Sequence, residues 1–202
     1  MPRKKSGIDV RIVHAARDRF LHDGVDGASL REIARAARTS IGMVYYYFPS
    51  KDELFLAVLE EVYAGLLADL EVALRPDVPF EQRLDRLFQR FARLEEDEWK
   101  VVRLVLREAM VSSRRRAHVL RRFLRGHVPL VLGTLADGVR AGRLDEKRPL
   151  AALGMATFVL ALFPQLFRRL AGDELRDALP LPSAPALATA LHEILLGGIG
   201  RA

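Results

Sequence analysis

Residues 29–51 read Ser29-Leu30-Arg31-Glu32-Ile33-Ala34-Arg35-Ala36-Ala37-Arg38-Thr39-Ser40-Ile41-Gly42-Met43-Val44-Tyr45-Tyr46-Tyr47-Phe48-Pro49-Ser50-Lys51, and the fold turns on how they are parsed. Ser29 and Glu32 have the spacing of a capping box, in which the hydroxyl accepts the Glu32 amide and the carboxylate reaches back. The box opens a short helix with Leu30, Ile33, Ala34 and Ala37 facing inward. Arg38-Thr39-Ser40 break it, a third helix covers residues 41–47, and Pro49-Ser50 end that helix in turn. Ser50 and Glu53 form a second box, starting a long helix with Leu54, Val58 and Val62 at i, i+4, i+8. A capped helix, a tight turn and a second short helix are the parts of a helix-turn-helix, whose second helix enters a DNA major groove.

The side chains of residues 41–51 suit that use. Ile41 and Met43 are apolar near a helix N-terminus, where thymine methyl groups match them. Gly42 sacrifices about 1 kcal/mol of helix stability but lets the backbone come close to a partner. Tyr45, Tyr46 and Tyr47 point in three directions, so at least one or two hydroxyls face outward, as phosphate donors do. Lys51 stands in the first turn of the next helix, where its charge and the helix dipole both attract phosphate. The pattern alone leaves open a plain pair of packed core helices.

Outward from this stretch the helical period recurs in both directions, with no run of alternating residues long enough for a strand. A first helix covers residues 8–22 with Val13, Ala16 and Phe20 on one face, stopped by Asp23-Gly24. Downstream, helices are expected over residues 80–94 (Leu84, Leu87, Phe88 and Phe91 inward) and 99–112 (Val102, Val105, Leu106 and Ala109 inward). Residues 114–141 follow, kinked or restarted at Pro129, then 149–170 and 184–196, with a loop at 172–183. The chain is therefore all-α with about nine helices. Its expected organisation is a basic N-terminal arm (1–7), a helix-turn-helix domain (8–51) and a larger helical body (52–202).

The charge agrees with that division. Residues 1–51 carry ten basic and five acidic side chains, whereas the remainder holds 22 and 21 of a chain whose net charge is +6. A basic head on a near-neutral body asks for a polyanion. The absence of cysteine excludes disulfides and cysteine-based zinc sites and is compatible with a reducing cytoplasm. The basic start runs into Asp9, Arg11 and Arg17 rather than an apolar core, so it does not read as a secretory signal. Five histidines lack metal-ligand spacing, and no phosphate loop or nucleophile motif is present, so no metal, cofactor or enzymatic activity is expected.

Residues 8–65 resemble the DNA-binding domain of the TetR family of bacterial transcription regulators. The matching residues are Ala15-Ala16, Phe20 and Gly24, then Ser29-Leu30-Arg31-Glu32-Ile33-Ala34, Ser40-Ile41-Gly42-Met43-Val44-Tyr45-Tyr46-Tyr47-Phe48 and Ser50-Lys51-Asp52-Glu53-Leu54. The family's turn usually reads Ala-Gly-Val-Ser; here Ala37-Arg38-Thr39-Ser40 makes Arg38 adopt the turn without glycine's freedom. The resemblance implies base contacts from Arg31, Ile41, Gly42 and Tyr45, and phosphate contacts from Ser29, Tyr46, Tyr47 and Lys51. Val44, Ile33, Phe48 and Phe20 would be core. Arg3, Lys4 and Lys5 are either an arm adding nonspecific affinity or a solvated tail. Arg11, Arg17, Arg19, Arg35 and Arg38 would contribute only background charge.

Residues 149–167 run for nineteen positions without a charge, long enough to cross a bilayer. A helix apolar all round is otherwise one buried on every side. The resemblance implies the latter, because the last two helices of such regulators form a four-helix bundle with a second subunit. Leu153, Leu160, Phe163, Phe167, Leu187, Leu191 and Leu195 are the candidate seam of a homodimer. By the same resemblance the partners are a palindromic double-stranded operator and a small-molecule effector that releases a cytoplasmic repressor. Trp99, Arg103, Glu108, Met110, His118, Phe158 and Phe163 are the candidate pocket lining. The six arginines of 114–125 are expected to coat a solvated surface over Val119, Leu120, Phe123 and Leu124. A membrane-associated protein using 149–167 and an unrecognised enzyme are the competing readings.

Overall fold

The computed structural model describes residues 7–170 and 181–199. The expected arm, but for Gly7, and most of the 172–183 loop lie outside the described residues. These hold ten helices and no strand: α1 (Gly7–Gly27), α2 (Leu30–Ala36), α3 (Ile41–Tyr47), α4 (Lys51–Ala73), α5 (Phe80–Ala92), α6 (Glu96–Val111), α7 (Ser113–Leu124), α8 (His127–Arg140), α9 (Leu150–Leu170) and α10 (Ala184–Ile199).

Contacts divide the chain into two compact units, but not at residue 51. The first comprises Met1–Leu66 with Glu95–Arg122, and the second Leu67–Leu94 with Phe123–Ala202. The expected body therefore loses α6 and most of α7 to the unit that holds the helix-turn-helix. The reason is the face that α6 buries. Trp99, Val101, Leu104, Val105 and Glu108 are buried, whereas Leu106 is exposed, so the inward line is rotated from the one expected. That line passes through a carboxylate, which a purely apolar pattern cannot register.

In the first unit, α1 carries Ile12, Val13, Ala16 and Phe20 into a core completed by Ile33 and Ala34 of α2 and Val44 of α3. Phe48, expected in that core, is only half-buried. Helix α1 is longer than expected because it resumes beyond its break. Gly24 has φ 77 and ψ 167, a conformation that only glycine adopts without strain, and one more turn follows to Gly27. Ser29 does not close a capping box: its side chain makes no cap hydrogen bond, and Glu32 pairs with Arg19 at 3.3 Å instead. Ser40 and Ser50 do cap, accepting the amides of Met43 and Glu53, each at 3.2 Å.

In the second unit, α5 buries Phe80, Leu84, Leu87, Phe88 and Phe91 against α8, α9 and α10. The stretch 114–141 breaks at Arg125-Gly126, before Pro129, which sits in the first turn of α8 where its missing N–H has no helical partner. Gly138 lets α5 and α8 meet closely, since a Cβ there would lie 2.5 Å from the Phe80 ring. Beside it the buried Arg83 donates to Asp137 at 2.7 Å. Among the described residues α9 alone is long and apolar enough to cross a membrane, and a third of that window (33%) is buried in the protein.

Replacing Gly24 by alanine tests the break in α1. The added Cβ meets nothing closer than 3.6 Å, so the cost is the backbone conformation. The expected loss is about 1–3 kcal/mol, read as a lower urea midpoint of the helical circular dichroism signal; an unchanged midpoint would mean that the break is not held.

Candidate nucleic-acid interface

The turn between α2 and α3 is held from three sides. Arg38 occupies it with φ 52, the left-handed conformation that the missing glycine would have adopted freely. Arg11 donates from α1 to the Ala37 carbonyl at 3.1 Å, and Ser40 caps α3. With Val44 fully buried beneath, α3 has one way to face. It turns Ile41, Gly42, Tyr45 and Tyr46 to solvent, with Tyr46 56% exposed. Tyr47 and Ser29 are half-buried, and the Tyr47 ring meets Tyr46 edge-on at 5.2 Å. Arg31 is exposed on α2, with no ion-pair partner among the described residues. A row of large exposed apolar and aromatic groups around a glycine, flanked by a free guanidinium, is suited to base edges and sugar-phosphate rather than to water.

Three of the arginines expected to be background are struts instead. Arg11 holds the turn, Arg17 pairs with Asp97 of α6 at 3.2 Å, and Arg19 pairs with Glu32. They fix the head internally, which leaves the outward charge to Arg31, Arg35, Arg38 and Lys51.

Lys51 is half-buried at the start of α4, and its ammonium donates to the Asp26 carbonyl at 2.7 Å. Asp26 belongs to a wider network that the sequence does not reveal. The Arg115 guanidinium of α7 donates to both Asp26 carboxylate oxygens, at 2.9 and 2.7 Å, and to Asp52 of α4 at 3.2 Å. Its Nε lies 2.9 Å from a Glu108 oxygen, as an ion pair. The other Glu108 oxygen accepts the Val25 amide that the Gly24 break sets free, at 3.2 Å. The neighbouring Arg107 donates to the Phe20 and Leu21 carbonyls on the other side of the break. The two side chains of α6 thus satisfy both orphaned ends of α1.

This overturns two expectations. Arg115 is not a solvated surface arginine: its side chain is 5% exposed, and Glu108 beside it is 4% exposed. Glu108 is therefore committed to structure rather than to a ligand pocket. Leu120 and Leu124, expected inward on α7, are exposed instead. Arg122 is also engaged, forking onto Glu60 at 2.6 and 2.7 Å with its guanidinium 4.4 Å over the Tyr63 ring.

Of the other pocket candidates, Trp99 is buried in the first unit and His118 half-buried, whereas Arg103 is exposed and Met110 85% exposed. Phe158 and Phe163 belong to the second unit and are exposed on α9. Of the seam candidates, Leu153 and Leu195 are buried within their own unit and so unavailable to a partner. Leu160, Leu187 and Leu191 are half-buried, and only Phe163 and Phe167 are exposed. The exposed line on α9 is Met155, Val159, Phe163, Phe167 and Leu170, joined on α10 by Ile194. Successive turns of one helix carry it, a spacing that the sequence does contain; the prolonged apolar run hides which side is which.

A family model described as bacterial regulatory proteins, tetR family, matches residues 12–58. Over 181 residues the chain is 30% identical to the HTH-type transcriptional repressor SCO4008 of Streptomyces coelicolor, covering 84% of this chain and 89% of that protein. The chain belongs to the tetR family of bacterial regulatory proteins. It is also 34% identical over 98 residues to the HTH-type transcriptional repressor NicS of Pseudomonas putida, a match spanning 40% of this chain and 46% of NicS, under half that protein's length. The tetR-family fold extends along the chain: the transcriptional regulator FadR from Bacillus subtilis, solved in complex with stearoyl-CoA, superposes with a TM-score of 0.76 over 94% of this chain and 98% of its own, at 19% identity. As a member of the tetR family the protein is a DNA-binding transcriptional regulator, and its α2–α3 pair is the helix-turn-helix.

The network behind this tetR-family head has a pH signature. The hydrogen bonds from Arg115 hold the Asp26 carboxyl below its ordinary value, with Lys51 adding a smaller pull. A carboxyl depressed in the folded state stabilises the fold above its unfolded value of about 3.9, and that contribution fades as pH falls below it. Urea midpoints measured from pH 7 down to pH 3 should drop more steeply at the acid end for the native chain than for Asp26→Asn. Identical acid limbs would show that the pair contributes nothing.

Proposed function

We propose that this tetR-family regulator is a homodimeric repressor that reads a palindromic operator with α3 and leaves it when a small molecule binds its helical body. The observation that carries the reading is the solvent-facing row Ile41, Gly42, Tyr45 and Tyr46, locked outward by the buried Val44 and the held turn. Arg31, Ile41, Gly42 and Tyr45 take the bases, while Ser29, Tyr46, Tyr47 and Lys51 take phosphates. Lys51 has a further two ammonium hydrogens beyond the one given to Asp26, so its internal bond does not exhaust it. The site of action is the bacterial cytoplasm, where the operator is.

One helix-turn-helix touches too few bases for useful discrimination, and a two-fold dimer doubles the reading over half-sites about 34–36 Å apart. The exposed α9 line supports that second copy. Phe163 is 61% exposed and Leu170 63%, far more apolar side chain than a monomer leaves to water on one helix without a partner. A two-fold partner laying the same helix alongside buries both copies of the line and needs no lipid. The effector reading rests on the fold shared with the FadR neighbour, which was solved with stearoyl-CoA. Operator and effector then oppose each other, because each stabilises a different spacing of the two heads.

Selection of bound duplexes from a random DNA pool tests the reading directly. A palindromic motif is the expected outcome, and Arg31→Ala should relax one base pair in each half-site while leaving the rest; a pool that stays unselected ends the proposal. For the seam, Phe163→Glu should convert dimer to monomer by light scattering. A dimer that persists moves the seam off this line, and partition of the native chain into detergent would favour the membrane reading.

A further inference from the structure

The Arg115 network lies behind the recognition face, and nothing in DNA reading by α3 requires it. It nevertheless joins four helices at one guanidinium. Asp26 comes from the last turn of α1, Asp52 from the first turn of α4, Glu108 from α6 and Arg115 from α7. Lys51 enters through the backbone, its ammonium on the Asp26 carbonyl.

That carbonyl is a poor anchor by itself. It belongs to the three-residue extension of α1 beyond the Gly24 break, a single turn closed by the Ala28 amide on the Gly24 carbonyl at 3.1 Å, too short to be steady without outside help. Two grips hold the extension. Glu108 takes the Val25 amide, and Arg115 forks onto the Asp26 carboxylate with the planar two-bond geometry that only a guanidinium supplies. Arg115 also bears on Glu108, its Nε 2.9 Å from the second carboxylate oxygen, and so holds that side chain where its first oxygen accepts the amide. Both grips therefore depend on one residue. A lysine side chain left unanchored samples many rotamers, and ordering it on DNA would lower the affinity of each phosphate contact.

We infer that Arg115 is a positioning residue for DNA binding, which acts through Asp26 to place the Lys51 ammonium against the phosphate backbone. The inference rests on the phosphate role proposed for Lys51. It means that α6 and α7, on which Glu108 and Arg115 ride, have a direct mechanical hold on a DNA contact at the start of α4. Arg114 reinforces the hold by pairing with the second Asp52 oxygen at 3.2 Å. A displacement of α7 relative to α1 would release Lys51 without any change in α3 itself.

The test is a double-mutant cycle on binding to a mixed-sequence DNA duplex, followed over a range of salt concentrations. Lys51→Ala should reduce the slope of log affinity against log salt by about 0.9, the share of one phosphate contact. Arg115→Met should give the same reduction although it touches no DNA, and the double variant should be no worse than either single one. A merely destabilised fold lowers the active fraction and leaves the slope of the folded molecules alone. If Arg115→Met does not fold, Asp26→Asn keeps the carbonyl, removes the fork and should show the same non-additive loss. A native slope in these variants, or losses that add to that of Lys51→Ala, overturns the relay and leaves the phosphate contact standing. A native slope in Lys51→Ala overturns the phosphate contact and the relay with it.

Discussion

Taking a guanidinium out of water costs several kcal/mol unless its donors are met, and Arg115 is where the first unit of this protein meets that condition. Its two terminal nitrogens donate to Asp26 and Asp52 and its Nε lies in an ion pair with Glu108, so that three carboxylates from three helices meet one rigid plane. The helices have to arrive together for the group to be buried at all. Losing Glu108, the partner buried with it, would leave a charge uncompensated at a cost of typically about 3–5 kcal/mol, comparable with a large part of a domain's stability. Asp26, by contrast, is mostly exposed, and its loss is softened by water. The arrangement therefore specifies one docking of α1, α4, α6 and α7 more sharply than apolar contacts do, since a slipped helix would strand a charge rather than merely change a van der Waals neighbour.

The same centre explains why α1 can break. A helix interrupted at Gly24 leaves carbonyls on one side and an amide on the other without partners. Arg107 covers the carbonyls of Phe20 and Leu21, and Glu108 covers the amide of Val25. Adjacent residues of opposite charge on α6 thus match the opposite polarity of the two helix ends. The break redirects the chain toward Ser29 and the start of α2, so the recognition face depends on it. Helices of only seven residues, such as α2 and α3, have little intrinsic stability; tertiary anchoring at the break, at Ala37 and beneath Val44 supplies what helix propensity does not.

The second unit is organised by apolar packing and by close approach. Gly138 receives the Phe80 ring and Gly154 receives Leu132, so α8 can lie against both α5 and α9. Within that packing α9 divides its apolar residues between an inward side (Leu153, Ala161, Leu162 and Leu166) and an outward side (Met155, Val159, Phe163, Phe167 and Leu170). Hydropathy registers both sides alike, which is why the segment resembles a membrane span by composition.

Local chemistry made most of the head readable from the chain alone. The period of apolar residues, the serines before α3 and α4, the glycine after His22 and Asp23, and the row of tyrosines are neighbours in sequence, and each acts over a turn or two. The positive φ at Arg38 was legible through the family resemblance, whose turn usually carries glycine at that position. What could not be read were the long-range choices. Glu32 left its own helix cap for Arg19, α6 turned a carboxylate inward, and one arginine of the five on α7 became buried beside it. Leu153 and Leu195, which pattern placed on an outer seam, went to the core. The sequence by itself determined the helices, the helix-turn-helix and the character of its outward face. Only the tertiary structure decided which charges are buried and which apolar side faces out. The reason is physical: a helix face is polar or apolar by composition, but whether a charge can leave water depends on partners some 80 to 90 residues away, as Val25 with Glu108 and Asp26 with Arg115 show.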